Sequence, residues 1–195
     1  MVNVILASKS EVRKEILNKN GIDCIVVPSN FDEDTVKKSL IRENATPENI
    51  SKTLAELKAN KVSQSWPNEI VIGADSVIDL DGKIISKPAN RKEALKILKE
   101  INNKFHYLIS SVCISKDGRM IWNYTEKAKL TMKNFSEQEL KEYLNKISDK
   151  NLYAYNVYQI EGEGRSLFLK IEGNEDTIMG LPIKKIKEYL KIINI

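Results

Sequence analysis

An acid and an amine stand near opposite ends of a predicted hairpin in the middle of the chain. The apolar run 70–72 predicts a strand buried on both faces. Gly73 and Ala74 are expected to leave room for a ligand beside the backbone where that strand ends, at Asp75. An Asp-Gly turn further along predicts a hairpin that returns the chain to Lys87. A carboxylate and an amine that share a cleft suggest metal and phosphate chemistry.

The first predicted junction between a strand and a helix combines hydroxyl groups with a positive charge. Ser8 and Ser10 precede the helix, whose free amides can bind phosphate oxygens, and Arg13 in the first turn adds a charged fork. Ser10 by itself could equally be a helix cap. Glu11 argues against a phosphate at this place, because a carboxylate repels it.

Three acidic residues, 32–34, follow the second predicted strand. Mg²⁺ and similar hard cations prefer oxygen ligands, so one of these acids and Asp75 could together hold a metal that bridges phosphates. A solvated acidic loop is the alternative interpretation. For Lys58, the glycine-containing loop 158–164 and the Gly-Leu-Pro at 180–182, the residues alone leave a plain surface or structural role open as well.

Other catalytic classes find no support in the sequence. His106 has no Cys or His partner at the spacing of a metal site, so we predict a structural role for it. The chain contains neither a Gly-x-x-x-x-Gly-Lys-Ser/Thr phosphate loop nor a Gly-x-Ser-x-Gly nucleophile elbow. Kinase-like and serine-hydrolase activities are therefore disfavoured.

The composition is that of an ordinary soluble protein. Hydrophobic residues make up 42 % and charged residues 30 % of the 195 residues, a length that predicts one domain over 1–195. No apolar run approaches the roughly 20 residues that cross a bilayer. The start of the chain lacks the basic segment of a signal peptide, and the two cysteines fall in separate apolar stretches as expected of reduced, buried thiols. These features predict a cytoplasmic protein with no membrane partner.

The charge pattern fits an anionic small molecule as readily as a nucleic acid. The net charge is +4, but the 31 basic residues are scattered among 27 acidic ones. Aromatic residues near lysines and arginines, Tyr107, Trp122, Tyr124 and Phe135, keep a nucleic-acid-binding module as a rival hypothesis. Because the basic residues form no stripe, we expect no stable nucleic-acid partner.

An α/β fold must position these side chains. The pattern predicts a mixed, elongated central sheet flanked by helices, because helices and strands alternate in the first half and antiparallel strands dominate the middle. The predicted strands are 2–7, 22–27, the hairpin beginning at 70, 105–114, 120–132 and 167–171. The predicted helices are 11–20, 46–63, 90–101, 136–147 and one after residue 182, and 31–45 is predicted as a loop with partial helix.

Taken in order, the motifs resemble those of the Maf family of nucleoside triphosphate pyrophosphatases, and the likeness covers essentially the whole chain. The family's opening Leu-Ala-Ser-x-Ser-Pro-Arg-Arg resembles segment 6–13, and its loop glutamate and helix lysine match Glu33 and Lys58. Gly-Ala-Asp-Thr appears as Gly-Ala-Asp-Ser at 73–76, Gly-Lys-Pro as Ser-Lys-Pro at 86–88, and Gly-Leu-Pro unchanged at 180–182. Each motif is weak, whereas six in sequence order are specific.

The resemblance implies two lobes around a cleft and hydrolysis of a nucleoside triphosphate between its α- and β-phosphates, with Mg²⁺ or Mn²⁺ as cofactor. By this analogy Asp75 is the proton acceptor that activates water, and it also contacts the metal together with Glu33. The implied catalytic lysines are Lys58 and Lys87, which would hold the triphosphate with Ser8, Ser10 and Arg13. A homodimer is expected from the resemblance alone.

The chain departs from the family pattern where the base would be chosen. The family's Pro-Arg is Glu11-Val12 here, and Val12, Ser76 and Glu161 occupy positions associated with thymidine and uridine triphosphate specificity in one branch. A carboxylate only accepts hydrogen bonds and prefers a donor-rich edge, so Glu161 disfavours those pyrimidines. The base stays open, with a broad or modified-nucleotide preference favoured. The departures at Glu11 and Val12 also keep a second rival hypothesis, a nucleotide-binding regulator of cell division with weak or no catalysis.

Overall fold

A mixed sheet organises the chain. The computed structural model describes residues 4–195, with the backbone alone for 153–155, so residues 2 and 3 of the first predicted strand lie outside it. The strands are β1 (Val4–Leu6), β2 (Cys24–Val26), β3 (Ile70–Leu80), β4 (Lys83–Ile85), β5 (Phe105–Lys116), β6 (Arg119–Met132) and β7 (Phe168–Glu172). They form one seven-stranded sheet in the order β2-β1-β3-β5-β6-β7, and β4 pairs with β3. The β1 pairings are parallel and the others antiparallel, which confirms the predicted mixed sheet.

Helices flank the sheet, most of them where the sequence predicted. They are α1 (Glu11–Lys19), α2 (Glu33–Arg42), α3 (Pro47–Ser63), α4 (Arg91–Ile101), α5 (Glu137–Asn145), α6 (Asp149–Tyr155), α7 (Glu175–Ile178) and α8 (Ile183–Ile192), with a 3₁₀ turn at Glu163–Leu167. Side-chain caps explain the agreement. Thr46 accepts a hydrogen bond from the Asn49 amide at the start of α3, and Ser136 and Glu139 form a capping box at the start of α5.

The segment 31–45 was predicted as a loop with partial helix, and it is helical over most of its length. This segment contains the ten-residue helix α2, because the Asp32 carboxylate caps it by accepting hydrogen bonds from the Thr35 amide and hydroxyl at 3.0 and 2.7 Å. Asp32 is thus used for capping. No helix was predicted for the segments that form the short helices α6 and α7, and Ser148 caps α6.

The expectation that a strand ends at Asp75 was also wrong. β3 continues to Leu80, and β5 pairs with one of its edges from Val71 to Asp79. On the opposite edge, β1 pairs with β3 only as far as Ile72 and β4 only from Ile78 onward. Asp75 therefore lies in the interval where the edge of β3 has no neighbouring strand. The strand that ends at the start of this interval is β1, whose last residue, Leu6, lies opposite Ile72.

The expectation that Gly73 leaves room for a ligand was wrong. A Cβ atom at this position would lie 2.3 Å from the Ala55 carbonyl oxygen and 2.6 Å from the Ala59 amide nitrogen. The space beside Gly73 is filled by α3, which packs directly on the β3 backbone. The glycine therefore allows close approach of the helix, and the helix carries Lys58.

Three apolar clusters border β3, and two of them lie on either side of the segment that holds Asp75. One contains Ile70, Ile72 and Ala74 and the C-terminal helix, in which Ile183, Ile186 and Leu190 are buried. The other contains Ile78 and Leu80 together with α4 and α5. The segment of β3 between the clusters faces a cleft.

Two further sequence expectations concern thiols and membranes. Cys24 and Cys113 are both free, as predicted, although Cys24 is only partly buried. Within residues 4–195, no helix combines the length with the apolar character that crossing a bilayer requires.

Candidate active site

The cleft beside this segment of β3 has a volume of about 780 Å³. It collects most of the side chains that the sequence singled out, although they come from distant parts of the chain. The predicted site residues that line it are Ser10, Val12, Arg13, Glu33, Lys58, Asp75, Ser76, Lys87 and Glu161. Ser8 is buried and its hydroxyl contacts Arg13, whereas Glu11 is exposed at the start of α1.

Lys58 lies between the two acids that were predicted to hold a metal. Its ammonium nitrogen is 2.9 Å from Oδ1 of Asp75 and 2.7 Å from Oε2 of Glu33. The lysine side chain is 8 % exposed, whereas that of Glu33 is 45 % exposed and reaches in from the cleft wall. The two carboxylates therefore converge on one point, which a positive charge occupies.

Arg13 links three parts of the chain in the cleft. Its guanidinium donates to the carbonyl oxygens of Gly180 and Ala74, both at 2.9 Å, and to the hydroxyls of Ser8 and Ser76. Gly180 has a φ of +99°, and a Cβ there would lie 3.2 Å from Nε of Arg13, so a side chain would crowd the guanidinium. The Gly-Leu-Pro motif thus orients Arg13 as well as opening α8.

The two serines of the first motif are held within their own turn. The Ser10 hydroxyl caps α1 by accepting from the Arg13 amide at 3.4 Å, which is the structural alternative that the sequence left open. The Ser8 hydroxyl accepts from the Ser10 amide and from Arg13, each at 3.2 Å. Their contact with a phosphate stays a prediction.

Lys87 lies at the rim of the cleft, so the hairpin brings it into the same cleft as Asp75, as predicted. Desolvation by the cleft walls lowers the pKa of Lys87. The positive charges of Arg13 and Lys58 lower this pKa further, and the negative charges of Asp75 and Glu33 oppose them. Arg13, Lys58, Asp75 and Glu33 are therefore all close enough to Lys87 to interact with it electrostatically.

Two serines that support the site escaped the sequence analysis. Ser51 donates to the backbone carbonyl of Asp75 at 3.0 Å, and the Ser110 hydroxyl lies 2.8 Å from that of Ser76. Ser51 is two helical turns before Lys58 on the same face of α3, a spacing that could have revealed it. Ser110 faces Ser76 only through the register of β3 with β5, which no local pattern encodes.

The late loop forms the far wall of the cleft. Glu161 accepts a hydrogen bond at 2.9 Å from the side-chain amide of Gln159, a partner that the sequence analysis missed. Behind this loop, the buried hydroxyl of Tyr158 is 2.7 Å from Nε2 of His106. His106 is fully buried, which agrees with the structural role predicted for it.

We expect His106, the one histidine of the chain, to make stability depend on pH. Burial lowers the pKa of His106 to about 4, below the about 6.5 of an unfolded chain. The neutral form of His106 therefore contributes fully to stability above pH 6.5. As the pH falls from 6.5 toward 4, this contribution to the free energy of unfolding decreases by about 3 kcal/mol in total. Urea unfolding of the wild type and of His106→Gln at several pH values measures this slope, and equal slopes in both would contradict the expectation.

The donor set fits a hard divalent cation with few protein ligands. Glu33 and Asp75 offer two carboxylates that converge on one point. Within the described part of the chain, no group of three or more His, Cys, Asp or Glu side chains is placed to hold a metal. Mg²⁺ commonly binds through one or two carboxylates and completes its coordination with water and substrate phosphates.

A family model and two curated relatives match the chain over most of its length. A family model described as "Maf-like protein" matches residues 3–193. The nucleoside triphosphate pyrophosphatase of Pelagibacter ubique is 72 % identical over 138 residues, which is 71 % of each chain. The protein of the same name from Paramagnetospirillum magneticum is 43 % identical over 136 residues, 70 % of each chain. A solved Ham1 protein from Coxiella burnetii superposes with a TM-score of 0.43 at 11 % identity, over 68 % of this chain and 73 % of that one.

Proposed function

Because the chain belongs to the Maf-like protein family and is a nucleoside triphosphate pyrophosphatase, we propose that it hydrolyses its substrate between the α- and β-phosphates with the help of a divalent metal. The products would be a nucleoside monophosphate and pyrophosphate. The observation that carries this proposal is the convergence of Glu33, Asp75 and Lys58 in a cleft that also holds Arg13 and Lys87.

The cations of the cleft suit a triphosphate. Lys58, Lys87 and Arg13 come from three separate elements and face one cleft, where their charges offset those of the phosphate oxygens. Arg13 is held in place by backbone carbonyls, so its charge is oriented before the substrate arrives. Preorganised charge of this kind supplies much of the rate enhancement in phosphoryl transfer, because little reorganisation is needed in the transition state.

Asp75 is the group best placed to accept a proton from water. Lys58 donates to Oδ1, and Ser51 fixes the backbone carbonyl of the same residue. When water attacks the α-phosphorus, the bond from that phosphorus to the bridging oxygen breaks and pyrophosphate leaves with the oxygen. The proton of the water passes to the Asp75 carboxylate. Glu33 and Asp75 would hold the metal, which when bound neutralises charge on the phosphate oxygens.

The wall near Glu161 bears on the choice of base. Glu161 already accepts from Gln159, and as a carboxylate it can accept further hydrogen bonds from a donor-rich base edge. Val12 adds an apolar surface where one family branch has arginine. This combination supports a broad or modified-nucleotide preference over thymidine and uridine triphosphates. Removal of non-standard nucleotides is the role that such a preference would serve.

Pyrophosphate release from a panel of standard and modified nucleoside triphosphates tests the proposal. We expect turnover with Mg²⁺ or Mn²⁺ and loss of turnover with a chelator. We also expect weaker activity on thymidine and uridine triphosphates than on purine nucleoside triphosphates. Orthophosphate as the released product would contradict cleavage between the α- and β-phosphates. Nucleotide binding without any turnover would instead favour the regulator of cell division, and salt-sensitive binding of single-stranded nucleic acid would favour the binding module.

A further inference from the structure

One ammonium group occupies the point on which the two proposed metal ligands converge. Lys58 contacts Glu33 and Asp75 at 2.7 and 2.9 Å, and its side chain is almost wholly buried. A metal bound by both acids therefore competes with Lys58 for the same carboxylate oxygens. The competition arises in the folded chain, because the fold brings both acids to the ammonium of Lys58.

The lysine is held at this point by the packing of α3 on β3. The helix backbone lies against Gly73, and Ser51 on the same helix donates to the Asp75 carbonyl at 3.0 Å. These contacts, from Ser51, Ala55 and Ala59, lie on three successive turns of a seventeen-residue helix whose inner face is buried. The helix therefore keeps the ammonium close to Asp75, and only the flexible end of the side chain is free to turn.

The charges around this point disfavour a lone divalent cation. Glu33 and Asp75 are outnumbered by Lys58, Arg13 and Lys87, all of which lie within electrostatic reach of one another. Within this group of five, a metal ion without a counter-charge would add to a surplus of positive charge, although the lining of the whole cleft carries five acidic and five basic side chains. A metal–triphosphate complex carries net negative charge and also offers phosphate oxygens, which can accept the hydrogen bonds that Lys58 gives up.

We propose that Lys58 is a resident counter-ion that excludes free divalent metal, so that the enzyme takes its metal only together with the triphosphate. The substrate is then the metal–triphosphate complex, and Lys58 turns from the carboxylates to the phosphates when that complex binds. This inference rests on the proposed function. It agrees with a site in which, among the described residues, only two carboxylates converge and the remaining ligands must come from substrate and water.

Binding of Mn²⁺ in the absence of turnover tests the inference. Electron paramagnetic resonance measures free Mn²⁺ in titrations of the wild type, of Lys58→Gln and of Lys58→Arg. Removing the charge should raise the affinity for Mn²⁺ alone by at least about tenfold, because two carboxylates are then left without their cation. Lys58→Arg keeps the charge and should bind Mn²⁺ as weakly as the wild type. Lys52→Gln, an exposed lysine on the same helix, is the matched control and should also behave as the wild type.

A second measurement needs no variant. Inorganic triphosphate supplies the phosphate groups without a base, and its own Mn²⁺ binding is subtracted with a protein-free sample. It should raise the Mn²⁺ affinity of the wild type by at least about tenfold, whereas Lys58→Gln should gain less. Equal Mn²⁺ affinity in folded Lys58→Gln and wild type, or wild-type Mn²⁺ binding as tight without triphosphate as with it, would overturn the inference. Failure of the proposed function appears separately, as absence of pyrophosphate release by the wild type.

Discussion

Replacing Asp75 with asparagine is expected to lower kcat for pyrophosphate release by about 10³-fold, which is within the range that a general base contributes. Asparagine has the same shape and can still accept the hydrogen bond that Lys58 donates to Oδ1, but it cannot take a proton from water. Lys58 also keeps its contact with Glu33. The melting temperature should therefore fall by no more than about 4 °C, roughly 1 kcal/mol for a chain of this length.

Asp79→Asn is the matched control for this prediction. Asp79 lies on the same strand, four residues further along, but its carboxylate accepts a hydrogen bond from the Gly82 amide in the hairpin turn. Its substitution should leave kcat within about twofold of the wild type. Steady-state pyrophosphate assays and thermal melts of both variants separate chemistry from folding. Wild-type turnover by Asp75→Asn would remove Asp75 from the role of proton acceptor.

Adding a single methyl group at Gly73 is expected to lower both stability and activity. In Gly73→Ala the new Cβ would meet backbone atoms of α3 at 2.3 and 2.6 Å, and backbone cannot turn away as a flexible side chain can. Overpacking of this kind costs about 3 kcal/mol, which corresponds to a fall of about 6–12 °C in melting temperature. Any outward shift of α3 that relieves the clash also withdraws Lys58 from Asp75. The remaining folded enzyme should therefore turn over at least about tenfold more slowly.

Gly162→Ala provides the comparison. A Cβ at Gly162 would find only the Gln159 carbonyl oxygen at 3.8 Å, an ordinary van der Waals contact. This variant should melt within about 2 °C of the wild type, because neither a clash nor a positive φ opposes it. Denaturant unfolding and pyrophosphate release measured on both glycine variants check the pair. A Gly73→Ala protein as stable as Gly162→Ala would show that α3 does not rest on the β3 backbone as described.

Local signals explain why so many elements were predictable. The caps at Thr46, Asn90 and Ser136 bind amides three residues ahead, so the start of each helix is written in a few adjacent residues. The Asp-Gly turns before β4 and β6 act at the same short range, with positive φ angles at Asp81 and Asp117. The helix α2 was predicted only in part, because its cap, Asp32, lies in an acidic run that also suited a solvated loop or a metal ligand.

Long-range contacts explain what was not predictable. Gly73 was expected to face a ligand, since nothing nearby in sequence says that α3 packs there. Arg13 is bound by the carbonyl of Gly180, 167 positions further along the chain. Asp75 was placed at the end of a strand, because its weakly β-forming neighbours conceal the pairing with β5 that carries β3 onward.

Residue type and motif order were therefore enough to single out five side chains that meet in one cleft: Asp75, Glu33, Lys58, Arg13 and Lys87. How they are combined there depends on the tertiary structure. The ammonium of Lys58 separates the two acids, and Arg13 is fastened to the backbone around the cleft. The physical reason is that residue chemistry and capping are local, whereas a shared cleft depends on which strands pair and how closely a helix can approach them.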